Sequence, residues 1–292
     1  MTASLTWRRD GAEWPNRETS RFITAGHLTF HVQRKGSGPV VLLIHGTGAS
    51  THSWRDVLPL LAKDFDVIAV DLPGHAFTSG ARPGDLTLAG MAAALAGLLR
   101  VLEVKPEVMV GHSAGAPVCA AMHFDHDVRP ALIVSLNGAW RPFPGLAGKI
   151  FPVVARLLHL NPAIAQMVTW RAGNRDAIRR LIEGTGSTID EQGLALYARL
   201  FQDPLHVNNV LRMMAGWDLA PVTSRIDRLE TACLLIAASD DLAVPAETSI
   251  DLGRRLSNAS VENIRGGGHL LHEVKPGETV ALIRAAMSSQ LS

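Results

Sequence analysis

Residues 108–117 read VMVGHSAGAP, an apolar run that closes on a serine between two glycines. A strand, then G-x-S-x-G, then a helix is the pattern of a nucleophile elbow. The turn is so tight that side chains beside the serine would meet neighbouring backbone. It lifts the serine Oγ above the strand end, where the N-terminal amides of the next helix favour developing negative charge. Ser113 is therefore the candidate nucleophile. The same five residues also occur as a plain small-residue turn, and the flanking strand and helix are what distinguish the two readings.

A serine hydroxyl attacks well only when a base takes its proton. The stretch GGGHLLHE supplies His269 after three glycines, just beyond a strand-like run. His272, one turn on, reads as a packing or capping residue. An imidazole base needs a carboxylate to fix its tautomer and to stabilise its charged form. AASDDLAVP offers Asp240 and Asp241, and the residues alone do not choose between them. Another strand-like run, LLIHGTGAS, ends in His45-Gly46 followed by Thr47 and Gly48.

These groups sit at the ends of apolar runs separated by helical stretches. LTFHVQRKG alternates, while PVVLLIHG, FDVIAVDLPG, PEVMVGHSAG and ALIVSLNG are continuous, as strands buried on both faces are. Helical patterns cover roughly 54–63, 86–103 and 114–124. The scheme resumes with ACLLIAASDD, a helix near 246–256, ASVENIRGGGH and a last helix from about Glu278. This is an α/β protein with a mostly parallel sheet and helices on both faces. Between Trp140 and Pro221 no strand-like run appears, and prolines break a helical pattern, so 140–221 reads as a helical insertion into a core of 1–139 and 222–292.

Composition narrows the function. With 47% hydrophobic and 19% charged residues the 292-residue chain has a sizeable core, and a net charge of +1 without a basic run argues against a nucleic-acid partner. Two cysteines, Cys119 and Cys233, read as buried thiols rather than a disulfide framework, which fits a cytoplasmic location. The N-terminus lacks the apolar segment of a signal peptide, and the apolar stretch 88–99 is too short to span a bilayer, so no transmembrane segment is expected. No G-x-x-x-x-G-K-[ST] phosphate loop and no Cys/His cluster of metal-ligand spacing is present, so neither a nucleotide motor nor a bound metal is expected.

His-Gly at 45–46, DLPGHAFTS at 71–79, GHSAG, the late aspartate and the late Gly-His together resemble the α/β-hydrolase fold superfamily. The segments HGTGASTHSWRDVLPLLAKDFDVIAVDLPGH, EGTGSTIDEQGLALYARLFQDPLHVNNVLRMMAGWDL and GHLLHE resemble, within it, the BchO-type magnesium-chelatase-associated hydrolases of bacteriochlorophyll biosynthesis. The resemblance implies a sheet of about eight strands, with 140–221 as a helical cap. It implies Ser113, His269 and Asp241 as the triad, Asp241 lying four residues before Pro245 where such hydrolases place the acid. It also implies the amides of Thr47 and Ala114 as the oxyanion hole. His45 would then brace the loop rather than act as a base. A serine at the elbow disfavours dehalogenase and epoxide-hydrolase chemistry, which needs a carboxylate there. The implied partners are a small-molecule substrate, apolar or tetrapyrrole-related, and magnesium-chelatase subunits, with no cofactor.

A non-catalytic reading rests on Met213, Met214, Trp170 and Trp217 as a face for a porphyrin, and on Arg171, Arg175, Arg179 and Arg180 for its propionates. Core packing and a solvated helix face are the plainer explanations. Two positions depart from the family pattern: Ala76 replaces a glycine, and Val274 replaces an acidic residue.

Overall fold

The alternation of apolar side chains along the strands sorts them onto two faces. In β3 (Val40–Ile44), Leu42 and Ile44 face one apolar layer while Val41 and Leu43 face the other. β4 (Asp66–Val70), β5 (Val108–His112) and β6 (Leu132–Leu136) are buried throughout for the same reason: both faces are covered. The computed structural model describes residues 4–141 and 174–290.

Eight strands form one sheet in the order β1-β2-β4-β3-β5-β6-β7-β8. β1 (Ser20–Ala25) and β2 (Leu28–Lys35) make an antiparallel hairpin at one edge, β2 pairs antiparallel with β4, and the remaining pairs are parallel. β7 (Ala232–Ala238) is buried, whereas β8 (Ala259–Ile264) is the exposed far edge. β1 had no counterpart in the sequence pattern. Its residues are largely exposed, so no apolar run announces it.

Helices α1 (Val57–Leu61), α2 (Leu88–Val101) and α3 (Gly115–His126) follow β3, β4 and β5. α1 is shorter than the pattern at 54–63 predicts, because a separate 3₁₀ turn takes Thr51–Trp54. α2 and α3 cover one face through Met91, Leu95, Leu98, Val118 and Met122. α1 and the last helix cover the other through Leu58, Leu61, Ile283 and Met287. Between β6 and β7 the described residues contribute α4 (Arg175–Glu183), α5 (Glu191–Phe201) and α6 (Pro204–Ala215). Each is started by a polar cap: Asn174, Asp190 and Asp203 accept from amides of their first turns. α7 (Glu247–Arg255) and α8 (Pro276–Gln290) complete the chain.

β3 has β4 on one side and β5 on the other, so the strand order reverses there. Ligands of open α/β sheets bind beyond the carboxyl ends of the strands at such a point. Thr47 follows β3 and Ser113 follows β5.

Candidate active site

Ser113 holds a left-handed backbone, φ 50°. Non-glycine residues adopt it only when the surroundings enforce it. Here the enforcement is packing. A Cβ on Gly111 would stand 2.5 Å from the Ala116 Cα, and one on Gly115 2.4 Å from the Ile44 carbonyl oxygen. The Ser113 amide donates to the Leu136 carbonyl, 3.0 Å, and its own carbonyl accepts from the amides of Ala116 and Ala139.

The His269 Nε2 lies 3.0 Å from the Ser113 Oγ, and its Nδ1 lies 2.7 Å from the Asp241 Oδ2. The other Asp241 oxygen accepts from the amides of Ala243 and Val244, both at 2.8 Å. Asp241 is thus buried with both oxygens engaged. Its neighbour Asp240 instead accepts from the Gly268 amide, 3.1 Å, and holds the histidine loop rather than the ring. The chain reaches His269 through Gly266, Gly267 and Gly268, at φ 76°, 103° and 59°.

Several residues that sequence reasoning did not single out hold that loop. The His269 carbonyl accepts from His112 Nε2 and from Asn137 Nδ2, both at 2.9 Å. Asn137 also donates to the Gly268 carbonyl and accepts from the Ala238 amide, tying β6 and β7 to the loop. The Ser187 hydroxyl donates to the Gly267 carbonyl, 2.9 Å, and accepts from the Leu270 amide, 2.8 Å, so one side chain brackets His269. The Thr185 carbonyl accepts from the amides of His269 and Leu242, joining the histidine loop to the aspartate loop. All but the Thr185–Leu242 bond cross 80 or more residues of sequence, and no local pattern signals them.

The strand-β3 loop lies against Ser113: a Cβ on Gly46 would come within 2.9 Å of the Ser113 Cβ. The Gly46 carbonyl accepts from His45 Nδ1, 2.8 Å, and from the Ala49 amide, 3.2 Å. A planar trans peptide sets its N–H opposite its C=O, so fixing this carbonyl fixes the Thr47 N–H. The His45 Nε2 accepts from the Leu72 amide, 3.0 Å. Both ring nitrogens are therefore occupied, and burial pushes the ring's pKa down to about 3. Ala114 immediately precedes α3, as its N-cap residue.

His272 is buried and packs, tilted, against Trp54 and His112, with ring centroids 4.5 and 4.4 Å away. Burial pushes it down to about 3. Met213 is buried in the core, and Trp217 packs against that core, so neither is a free face for a ligand. Arg179 pairs with Glu191. Trp170 and Arg171 lie outside the described residues. Cys119 and Cys233 are free buried thiols, the second pushed up to about 12 by burial. Val274 packs beside the apolar cluster of Ala49, Ile178, Leu194, Tyr197 and Leu270. Among the described residues no group of His, Cys, Asp and Glu could hold a metal ion, and no helix is long and apolar enough to cross a membrane.

The alpha/beta hydrolase fold family matches residues 39–276, which span both β3 and the His269 loop. The chain belongs to that family. It is 40% identical over 265 residues to the magnesium-chelatase 30 kDa subunit of Rhodobacter capsulatus, covering 90% of this chain and 92% of that protein. It is 29% identical over 262 residues to RutD of Escherichia coli O17:K52:H18, a protein named for carbamate hydrolysis, covering 87% and 88%. Among solved structures, a thermophilic esterase from Thermogutta terrifontis matches with a TM-score of 0.72 over 94% of this chain and 98% of that one. At 23% identity that match carries the fold alone. The α/β-hydrolase fold expected from the sequence, including its mostly parallel eight-stranded sheet, is the fold of this chain.

Proposed function

We propose that this α/β-hydrolase is a serine hydrolase that cleaves an ester, thioester or related acyl bond. In this reading it serves bacteriochlorophyll biosynthesis at or near the magnesium-chelatase step. The observation that carries the chemistry is the unbroken line from Ser113 Oγ through His269 to the buried Asp241. The likeness to the magnesium-chelatase 30 kDa subunit supports the pathway.

In this reading His269 Nε2 takes the Ser113 proton as Oγ bonds to the acyl carbon, and the carbonyl π pair moves onto oxygen. The amides of Thr47 and Ala114 hold that oxyanion. Each such donor is worth about 10²–10³ in rate. Asp241 keeps the proton of His269 on Nδ1 and stabilises the imidazolium. The intermediate collapses, the leaving group departs with the proton from Nε2, and Ser113 remains acylated. Water, deprotonated by His269, attacks the acyl carbon and releases the acid and free Ser113. Residues 140–221 act as the cap that selects the substrate, an apolar or tetrapyrrole-related small molecule, and the two buried thiols suit the cytoplasm.

A fluorophosphonate probe tests the chemistry. Covalent mass addition at Ser113 is expected, and its absence in the folded protein overturns the proposal. Complementation of a deletion strain tests the pathway: Ser113→Ala is expected to fail. Full rescue of pigment synthesis by that variant would replace catalysis with a binding or chelatase-accessory role.

A further inference from the structure

Two imidazoles hydrogen-bond to carbonyls of the loop that carries Thr47. His45 holds the Gly46 carbonyl from within the core. The second is His206 on α6, buried at 1% exposure. Its Nε2 lies 3.2 Å from the Gly48 carbonyl, to which it donates. Its Nδ1 accepts from the Ala76 amide, also at 3.2 Å. Both contacts require the same neutral tautomer, and burial, which pushes the ring down to about 4, keeps it neutral. One turn on, Asn209 Nδ2 donates to the Gly74 carbonyl, 3.2 Å. α6 therefore sits on two loops at once, those after β3 and β4.

The link from His206 to Thr47 is short and continuous. Holding the Gly48 carbonyl fixes the next peptide plane, hence the Ala49 N–H. That N–H donates to the Gly46 carbonyl, 3.2 Å. The Gly46 carbonyl belongs to the peptide whose N–H is that of Thr47. Gly48 itself stands at φ 77°, one of the many conformations open to glycine, so its neighbours rather than its own backbone fix the turn. Ala76 is at φ 42°, so the other end of the His206 bridge is also a left-handed residue, here with a side chain.

We propose that His206 is a positioning residue that aligns the Thr47 amide, so that the seating of α6 sets the quality of the oxyanion site. The inference rests on the serine-hydrolase reading above and adds to it a group from outside the core. Oxyanion donors work only at hydrogen-bond distance from where the charge will develop. A loosened Gly46–Ala49 turn should therefore slow the acylation step without removing the nucleophile or base.

The bridge can be cut one half at a time. The amide nitrogen of glutamine reaches the place of histidine Nε2, and the amide oxygen of asparagine that of Nδ1. His206→Gln thus keeps the Gly48 bond, and His206→Asn the Ala76 bond. The measurements are Ser113 phosphonylation by a fluorophosphonate and the separate kcat and KM for p-nitrophenyl acetate, on proteins matched for fold by circular dichroism. His206→Ala is expected to lower kcat and phosphonylation about tenfold or more, with KM within about threefold. His206→Gln should recover most of that loss and His206→Asn little. Recovery by Asn but not Gln, a loss confined to KM, or no loss in His206→Ala each overturns the inference. If His206→Ala does not fold, the Gln and Asn pair decides. A wild-type protein that neither labels nor turns over overturns the hydrolase reading and this inference together. A wild type that labels no faster than His206→Ala overturns this inference alone.

Discussion

Among the described residues, two Ser–His–Asp lines have the same dimensions. In one, His269 lies 3.0 Å from Ser113 Oγ and 2.7 Å from Asp241. In the other, His31 lies 3.0 Å from Ser20 Oγ and 2.7 Å from Asp71. The second line joins β1, β2 and the loop after β4, and its histidine and aspartate are fully buried. Ser20 has an ordinary φ of −72°, and its hydroxyl also faces Gln33 Nε2. Asp71 accepts the amides of Thr51 and Phe77, and the rings of Trp7, Phe22 and Phe77 crowd His31. That line is a clamp on two loops. Three residues in hydrogen-bond order do not make a nucleophile. What sets Ser113 apart is its enforced left-handed backbone, the close approach of Gly46, and the helix that begins beside it.

The sharpest way to break this contrast is to delete each hydroxyl. Ser113→Ala should abolish phosphonylation and lower esterase turnover by about 10⁴-fold or more. Ser20→Ala should leave turnover within about twofold and cost about 1 kcal/mol of stability in urea unfolding. Equal effects would dissolve the distinction.

Next come the carboxylates. Asp241→Asn should lower kcat by about 10³–10⁴-fold, since it spoils the His269 tautomer. Asp71→Asn should instead destabilise the protein by about 1–3 kcal/mol, the cost of leaving buried hydrogen-bond partners unsatisfied. Turnover per folded molecule should fall less than about tenfold, a smaller change than loss of a triad partner brings.

Acid titration should show a slower divergence. Burial lowers the pKa of His45, His75 and His272 to about 3, of His206 to about 4, and of His52 and His112 well below 6.5. For each, the unfolded chain binds the proton more readily, so stability is full above 6.5 and drains as pH falls below it. Asp71 works in the same direction lower down. Though burial opposes it, the nearby His31 and its hydrogen bond lower Asp71 from 3.8 to about 2, and its share is lost as pH falls through that window. Urea midpoints from pH 7 to pH 3 should fall for the wild type, and Asp71→Asn should flatten the lowest part of the curve. A flat wild-type curve would contradict the burial of these rings.

The smallest effect concerns Glu273, whose Oε1 accepts from the Tyr197 hydroxyl at 2.7 Å. Burial raises its pKa from 4.5 to about 8, so its ionisation opposes folding as pH rises through that range. Glu273→Gln should gain stability at pH 9 and little at pH 5, measured as the difference in urea midpoint. A gain that is the same at both values would mean the carboxyl is not held neutral.

The elbow was legible because its signature is local, a serine between two glycines after an apolar run, although what demands Gly115 is the Ile44 carbonyl on distant β3. His269 was legible for the same reason, through the glycines before it. The choice of Asp241 over Asp240 was not legible in the residues themselves. It depends on the amides of Ala243 and Val244 closing around one carboxylate, and only the family likeness pointed to it. The long-range supports stayed invisible. Asn137, Ser187 and His206 reach their targets across 131, 80 and 158 residues, and no periodicity encodes such a meeting. β1 escaped because an exposed edge strand needs no apolar run.

The Thr185 carbonyl has a consequence for ancestry and engineering. A single oxygen from the chain between β6 and β7 receives amides from both the His269 loop and the Asp241 loop. The segment between β6 and β7 is therefore not a replaceable accessory, because Thr185 also ties two of the loops beside Ser113 together. A chimera that exchanges residues 188–221 and keeps Gly184–Ser187 should preserve the pairing of His269 with Asp241. One that begins its exchange at Trp140 should lose it, and the rate of Ser113 phosphonylation tells the two apart.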